Sequence, residues 1–305
     1  MFKNVMVGVD GRSGGRDAIE LARRLMDPDG QLTLVHVHSG VLRPVHAATP
    51  GLVEAEREAS HKLLEQERAA AEVEAELVSV VSMNPGRGLH QQAEDQGADL
   101  LVVGSCSHGV IGRAMLRDDT RAALNGAPCA VAIASLGYAE HPSPIAKIGV
   151  GYDASPESTA ALTVAREVAS VNRAVIDVLE VVAIRSYAYT GIVPPAIGES
   201  IDEIVQEAQA RVKALPGVKG HAVYGLAGEE LSAFSDNVDL LVVGSRGYGP
   251  MRRLVVGSTS DYLERHARCS LLVLPRLATA PAQEATSSDE ITAATPQGAP
   301  RLTVF

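Results

Sequence analysis

Four residues late in the chain have the types and the spacing of a phosphate-binding loop. Two residues separate Gly244 from Gly247, and nine residues separate Gly247 from Gly257, which is followed by Ser258. Glycine lets the backbone approach a ligand closely and adopt positive φ. Free amides at a helix start, with the helix dipole, favour an anion such as phosphate. Because the segment follows an apolar run at 240–243 and precedes a predicted helix, we expect an anion site here.

Polar side chains around this segment could assist. Ser258 is predicted to cap the helix, with Asp261 three residues later in capping-box spacing. Arg252 lies within the nine-residue spacer, from which its guanidinium could reach phosphate oxygens. A solvated charge on a loop explains Arg252 equally well.

The elements that position this loop are repeated within the chain. Residues 99–116 and 239–256 align without gaps at an offset of 140, with nine of eighteen positions identical. Residues 7–10 match 150–153 at an offset of 143. The chain is therefore predicted to be a duplication.

Each copy alternates short apolar runs with stretches of helical periodicity, which predicts an α/β fold with parallel strands joined by helical crossovers. Uninterrupted apolar strands such as LLVVG indicate a sheet covered by helices on both faces. We expect two tandem, doubly wound, Rossmann-like parallel sheets, with ligands at the carboxyl ends of the strands. The predicted strands lie near 5–9, 32–37, 77–83, 100–103 and 130–134 in one copy and near 148–152, 175–182, 221–224, 240–243 and 271–274 in the other.

The domain prediction follows from this repeat. A first half at 1–136 and a second half at 145–276 are joined by a short linker with two prolines, so the halves should be adjacent. Residues 277–305 are rich in Ala, Thr, Pro and Ser and are predicted to be a disordered tail.

Composition narrows the classes of function. The chain of 305 residues has a formal charge of −10, 3% aromatic residues and no Trp, which argues against a nucleic-acid partner. The sequence contains no uninterrupted run of about 18 apolar residues, which a membrane-spanning helix would need, so we expect a cytoplasmic protein. Three cysteines without a CxxC pair, and His36 with His38 but no evident third ligand, predict no metal site.

The order Gly244, Gly247, Gly257, Ser258 resembles the ATP-binding signature G-x2-G-x9-G-[S/T] of universal stress proteins. The resemblance spans nearly all of residues 1–275. It implies a tandem member of that family with five-stranded sheets in the order 3-2-1-4-5, associating through the last strand. It also implies ATP, with or without Mg²⁺, as the ligand.

The resemblance assigns roles to residues of the second half. Gly151, Tyr152 and Asp153 end the first strand, and Asp153 would face the adenosine. Val181 would offer backbone hydrogen bonds to adenine, and Val243 with Gly244 would line the nucleoside. The residues implied to hold ribose and phosphates are Gly247, Gly257, Ser258, Thr259 and Ser260. Asp153 has a second interpretation, as a turn residue that caps the helix starting at Ser155 and Pro156.

The first half has lost most of this signature. Ser107, Arg117 and Asp118 stand where Gly247, Gly257 and Ser258 stand in the second half. Side chains there would fill space that bare backbone must leave open, and Asp118 with Asp119 would repel phosphate. We therefore predict that the first half does not bind ATP in this manner.

Function follows as an expectation. We expect a stress-response protein that binds ATP and in response changes its assembly or its contacts with partners. Its two domains should pair within the chain, and the chain could form a homodimer. We expect slow ATP hydrolysis at most, and we assign no catalytic residues. One rival is an ATP-pyrophosphatase-type enzyme, suggested by the sequence SGG at Ser13–Gly15; the other is an interaction module without nucleotide.

Overall fold

The computed structural model describes residues 1–38, 50–105, 118–183, 195–245, 254 and 257–275. Gly247, Arg252, Ser107, Arg117 and the predicted tail at 277–305 lie outside these residues. No helix in the described part of the chain is both long enough and apolar enough to cross a membrane.

The two halves repeat one order of elements. The first half contains β1 (Phe2–Gly8), α1 (Ser13–Leu25), β2 (Met26–His38), α2 (Pro50–Ala70), β3 (Glu76–Val81), α3 (Pro85–Gln96), β4 (Leu100–Gly104), α4 (Asp118–Leu124) and β5 (Ala130–Ala134). The second half contains β6 (Lys147–Tyr152), α5 (Pro156–Asn172), β7 (Val175–Val182), α6 (Pro195–Lys213), β8 (Lys219–Tyr224), α7 (Ala227–Phe234), β9 (Leu240–Gly244), α8 (Ser258–His266) and β10 (Ser270–Leu274).

Strand β2 begins earlier than the sequence predicts, at Met26 rather than near residue 32. Phe2 pairs with Met26, and the register then shifts before Asn4 pairs with Gln31. The intervening residues 27–31 are polar, proline or glycine, so apolar periodicity gives no sign of this part of the strand.

The strands form one ten-stranded sheet in the order β3-β2-β1-β4-β5-β10-β9-β6-β7-β8. Each half thus has the predicted order 3-2-1-4-5 with parallel neighbours, which confirms the predicted α/β fold class. The two sheets are continuous rather than separate, because β5 and β10 pair antiparallel through residues 131–133 and 271–273.

Helices cover both faces of this sheet. Two apolar cores result, each running through both halves. One contains Val5 and Val7 of β1 with Leu21 of α1. The other contains Met6 of β1 with Leu89 of α3 and Leu263 of α8. Alternate side chains of one strand therefore enter opposite cores, as the pleat requires.

The two halves also contact each other beyond β5 and β10. Leu254, which is fully buried, donates its N–H to Ala127 O at 2.8 Å, and its carbonyl accepts from Gly126 N at 2.8 Å. Arg121 Nε of α4 lies 3.1 Å from Asp261 Oδ1 of α8. The buried carboxylate of Asp17 accepts hydrogen bonds from Gly137 N and Ala139 N, which anchors the linker to α1.

Candidate functional site

The described candidate residues of the second half meet at one place, a cleft of about 80 Å³ that we call the second cleft. It lies at the carboxyl ends of β6, β7 and β9, where strand order reverses between β6 and β9. The candidate residues that line it are Gly151, Tyr152, Asp153, Val181, Val243, Gly244, Gly257, Ser258, Thr259 and Ser260. Gly247 and Arg252 fall outside the described residues.

Gly244 is required at the end of β9 because α5 approaches it closely. A Cβ added to Gly244 would lie 2.8 Å from the backbone carbonyl of Glu157. Real Cβ atoms do not come this close to backbone, so the absent side chain sets the distance between helix and strand. This glycine has a packing function as well as the ligand function that the signature implies.

Asp153 takes part in the turn that starts α5. Its carboxylate accepts a hydrogen bond from Ser155 N at 3.1 Å and another from the Ser155 hydroxyl. Ser155 in turn accepts from Ser158 N at 3.1 Å as the N-cap of the helix. Asp153 therefore has the turn-stabilising role that the sequence offered as its second interpretation, and it lines the cleft as well.

The predicted cap of α8 was wrong. The N-cap is Gly257 and not Ser258, and it makes no side-chain hydrogen bond. Asp261 does not complete a capping box; it pairs with Arg121 and with Arg265. A glycine with φ −82° and ψ 168° supplies the extended geometry of an N-cap without filling the space beside the first amides. These amides and the helix dipole favour an anion, and the two arginines offset the charge of Asp261.

Other lining residues were not identified from the sequence. Glu157, Ala227 and Leu231 also border the second cleft. Glu157 follows the turn after β6, and Leu231 lies on the inner side of α7. Aligning the two halves at the end of their first strands places Glu157 opposite Gly14 of the SGG sequence. Because that sequence was itself considered as a ligand loop, the alignment could have drawn attention to Glu157.

A second and larger cavity, the first cleft, occupies the corresponding place in the first half. Its volume is about 400 Å³, and it lies at the carboxyl ends of β1, β2 and β4. Its walls include the apolar side chains of Val9, Val37, Leu89 and Val103. The remaining lining residues that matter here are Asp10, Arg12, Ser13, Gly14, His36 and Gly104.

The glycines of the SGG sequence have a packing role. A Cβ on Gly104 would lie 2.1 Å from Gly14 O and 2.6 Å from Gly14 Cα, so the start of α1 lies directly against the end of β4. The helix N-cap is Arg12, without a side-chain hydrogen bond. This close approach requires glycine at position 104, whereas a Cβ on Gly14 itself would lie 3.4 Å from Ser105 O, an ordinary contact.

His36 and His38 of β2 have structural partners, and the described cysteines, Cys129 and Cys269, are held as thiols. His36 Nδ1 lies 2.8 Å from Val9 O, and His38 Nδ1 lies 3.6 Å from Glu56 Oε2. Burial raises the pKa of Cys129 and of Cys269 to about 12, so both remain thiols at neutral pH. Within the described residues, no group of three or more His, Cys, Asp or Glu side chains is arranged to hold a metal ion.

Comparison with known proteins gives a consistent result. The model of the family described as Universal stress protein family matches residues 1–135 and 144–275. A universal stress protein from Archaeoglobus fulgidus DSM 4304 is 16% identical, with 89% of this chain and 97% of that chain covered and a TM-score of 0.60. A protein named as a putative universal stress protein from Pseudomonas aeruginosa UCBPP-PA14 is 15% identical, with 90% and 94% covered and a TM-score of 0.56.

Proposed function

The chain belongs to the universal stress protein family, and on that premise we propose that its second half binds ATP. The observation that carries the proposal is the convergence of ten of the twelve candidate residues on one cleft. Three strands contribute to its nucleoside side, and the start of α8 contributes to its phosphate side. The same proposal makes the protein a cytoplasmic component of the stress response.

The phosphate side is supported by the start of α8. Gly257 leaves the first amides of the helix without a side-chain partner, and Ser258, Thr259 and Ser260 follow it directly. Phosphate oxygens would accept hydrogen bonds from such amides, and the helix dipole adds a favourable term. Where Mg²⁺ accompanies ATP, phosphate oxygens and water are its usual ligands.

The nucleoside side must widen on binding. Pockets for small ligands enclose roughly 300 to 1,000 Å³, whereas the second cleft encloses about 80 Å³. Tyr152, Glu157 and Leu231 border the enclosed space, so one or more of these side chains must turn outward. We propose that ATP changes assembly or partner contacts through this movement.

The test compares two substitutions at one position. In Gly257→Asp, a carboxylate caps α8 and occupies the anion position; in Gly257→Ser, a neutral hydroxyl does the same. We expect isothermal titration of the full chain to show ATP affinity reduced by at least about 100-fold in Gly257→Asp and by about tenfold or less in Gly257→Ser. Both variants should keep the wild-type melting temperature or exceed it, since each adds a favourable cap.

Two outcomes would contradict the proposal. Unchanged ATP affinity in Gly257→Asp would place any nucleotide elsewhere, and absence of ATP binding by the wild type would favour an interaction module without nucleotide. Formation of AMP and pyrophosphate from ATP would instead favour the rival enzyme class. Sedimentation with and without ATP tests the proposed change in assembly, which we expect to be absent in Gly257→Asp.

A further inference from the structure

The connection between α4 and β5 of the first half contacts the second half close to the start of α8. We propose that this connection is a positioning partner of the ATP site: it holds the spacer of the glycine signature and thereby sets the place of the α8 amides. The inference rests on the proposed binding of ATP and deepens it. It gives the first half, which has lost most of its own signature, a function in nucleotide binding.

Leu254 lies in the nine-residue spacer of the signature and is held by the first half. Its N–H donates to Ala127 O, and its carbonyl accepts from Gly126 N, both at 2.8 Å. Its side chain is fully buried in the apolar core that also contains Leu263 of α8. Only two residues separate Leu254 from Gly257, the N-cap of α8. Fixing both backbone groups of Leu254 therefore restricts where α8 begins, and with it the amides that would face phosphate.

The contact depends on a position at which the two halves differ. The offset of 140 residues places Gly126 opposite His266. Helix α8 includes His266, whereas α4 ends at Leu124, two residues earlier in this alignment. Gly126 has φ +96°, a left-handed conformation that favours glycine, and its N–H is directed to Leu254. The two halves are therefore not interchangeable as partners of the spacer.

A second contact acts on the charge beside the same helix start. Arg121 Nε lies 3.1 Å from Asp261 Oδ1. Asp261 lies in the first turn of α8, and its N–H donates to Gly257 O at 2.9 Å. A carboxylate there repels phosphate, and Arg121 offsets part of that repulsion together with Arg265. Because the Arg121 side chain is 61% exposed, screening by solvent makes this the smaller contribution.

Replacing Gly126 tests the main contact. In Gly126→Ala the backbone is strained at φ +96°, although the new Cβ would lie 3.6 Å from the His90 ring, an ordinary contact. The chain can relieve this strain by releasing Leu254. The apparent affinity for ATP then falls in proportion to the fraction of molecules that keep Leu254 in place. Gly97→Ala is the matched control, since φ is +61° there and a Cβ would meet nothing within 4 Å.

We expect isothermal titration of the full chain to show ATP affinity reduced about tenfold or more in Gly126→Ala and less than about twofold in Gly97→Ala. Affinity for adenosine, which has no phosphate, should change less than about twofold in either variant. Thermal unfolding should show a lower Tm in both variants, since each strains a left-handed glycine. Gly126→Asn should recover part of the ATP affinity, because asparagine tolerates positive φ better than alanine, and it replaces Gly126→Ala if that variant does not fold.

The charge contact is tested without a change in the backbone. Arg121→Gln should weaken ATP binding about threefold at low salt and leave adenosine binding unchanged. In an Asp261→Asn background the same substitution should have no effect on ATP affinity, because no carboxylate remains to be offset. An equal effect in both backgrounds would show that Arg121 does not act through Asp261 and would overturn this part of the inference.

Three results would overturn the positioning role of Gly126: unchanged ATP affinity in its variants, equal losses of ATP and adenosine affinity, or an equal loss in Gly97→Ala. Equal losses for the two ligands are what a purely structural role predicts. A wild-type chain that binds no ATP would contradict the proposed function, and this inference with it. Binding of ATP by the wild type together with any of the three results would contradict the positioning role alone.

Discussion

The first and second clefts are made by the same elements in the same strand order, yet one encloses about five times the volume of the other. Val9 and Gly14 leave space that Tyr152 and Glu157 occupy. The half with the intact phosphate signature is the half with the narrower cleft. A duplicated fold can therefore keep its sheet while the volume of the cleft and the phosphate-binding signature change independently, because they depend on different residues.

The contact between helix and strand at each cleft offers the sharpest test of this comparison. In Gly104→Ala the new Cβ would lie 2.1 Å from Gly14 O, whereas in Gly244→Ala it would lie 2.8 Å from the carbonyl of Glu157. Overpacking costs roughly 1 to 3 kcal/mol and occasionally more, so we expect about 3 kcal/mol or more for Gly104→Ala and about 1 to 2 kcal/mol for Gly244→Ala. Urea unfolding midpoints measure both, and equal losses would contradict the difference in packing.

Glu157 tests whether charge or volume limits the second cleft. We expect Glu157→Gly to raise ATP affinity about tenfold, since it removes both bulk and negative charge from the lining of the cleft. Glu157→Gln keeps the bulk and removes the charge, so its share of the gain measures the electrostatic part. Titration with ATP at low and high salt checks that this part is electrostatic, because the gain in ATP affinity of Glu157→Gln should shrink as the salt concentration rises.

The N-caps of α1 and α5 differ in a way that exchange of residues can test. Ser155 caps α5 through Ser158 N, and Ser155→Ala should cost about 1 kcal/mol. Arg12 caps α1 without a side-chain bond, in an extended conformation that serine also adopts. Arg12→Ser should therefore raise the melting temperature while Ser155→Ala lowers it, and shifts of the same sign would refute the comparison.

Buried carboxylates give the smallest expected effect. Glu180 in the second half is paired with Arg211, whereas Glu67 Oε2 in the first half has no hydrogen-bond partner among the described residues. Burial is the main cause that raises the pKa of Glu67, opposed by Arg16. A raised pKa means that the folded state binds the proton more tightly, so the penalty is absent at pH below the unfolded value and grows as pH rises through the folded value.

Replacing Glu67 with Gln removes that penalty. We expect Glu67→Gln to raise the free energy of unfolding at pH 7 and to leave it nearly unchanged at pH 4. Denaturant unfolding at the two pH values measures the difference. A larger gain at pH 4 than at pH 7 would show that the pKa of Glu67 is lowered instead.

The fold was largely predictable because its signals are local and repeated. The apolar runs at 100–104 and 240–244 identify two buried strands, and the offset of 140 residues identifies the duplication. The cap of α8 was mispredicted, because a serine and a glycine in adjacent positions both suit an N-cap and only the backbone decides between them. The widths of the clefts depend on side chains that meet from different elements, which periodicity does not report.

The antiparallel contact of β5 with β10 has a consequence for how this chain could respond to a ligand. The two strands belong to one chain, whose halves are joined by a short linker, so their association is intramolecular and does not weaken on dilution. Both strands have neighbours on each side, and no edge remains there for another molecule. Any change in stoichiometry must therefore use other surfaces, of which β3 and β8 are the two outer strands of the sheet.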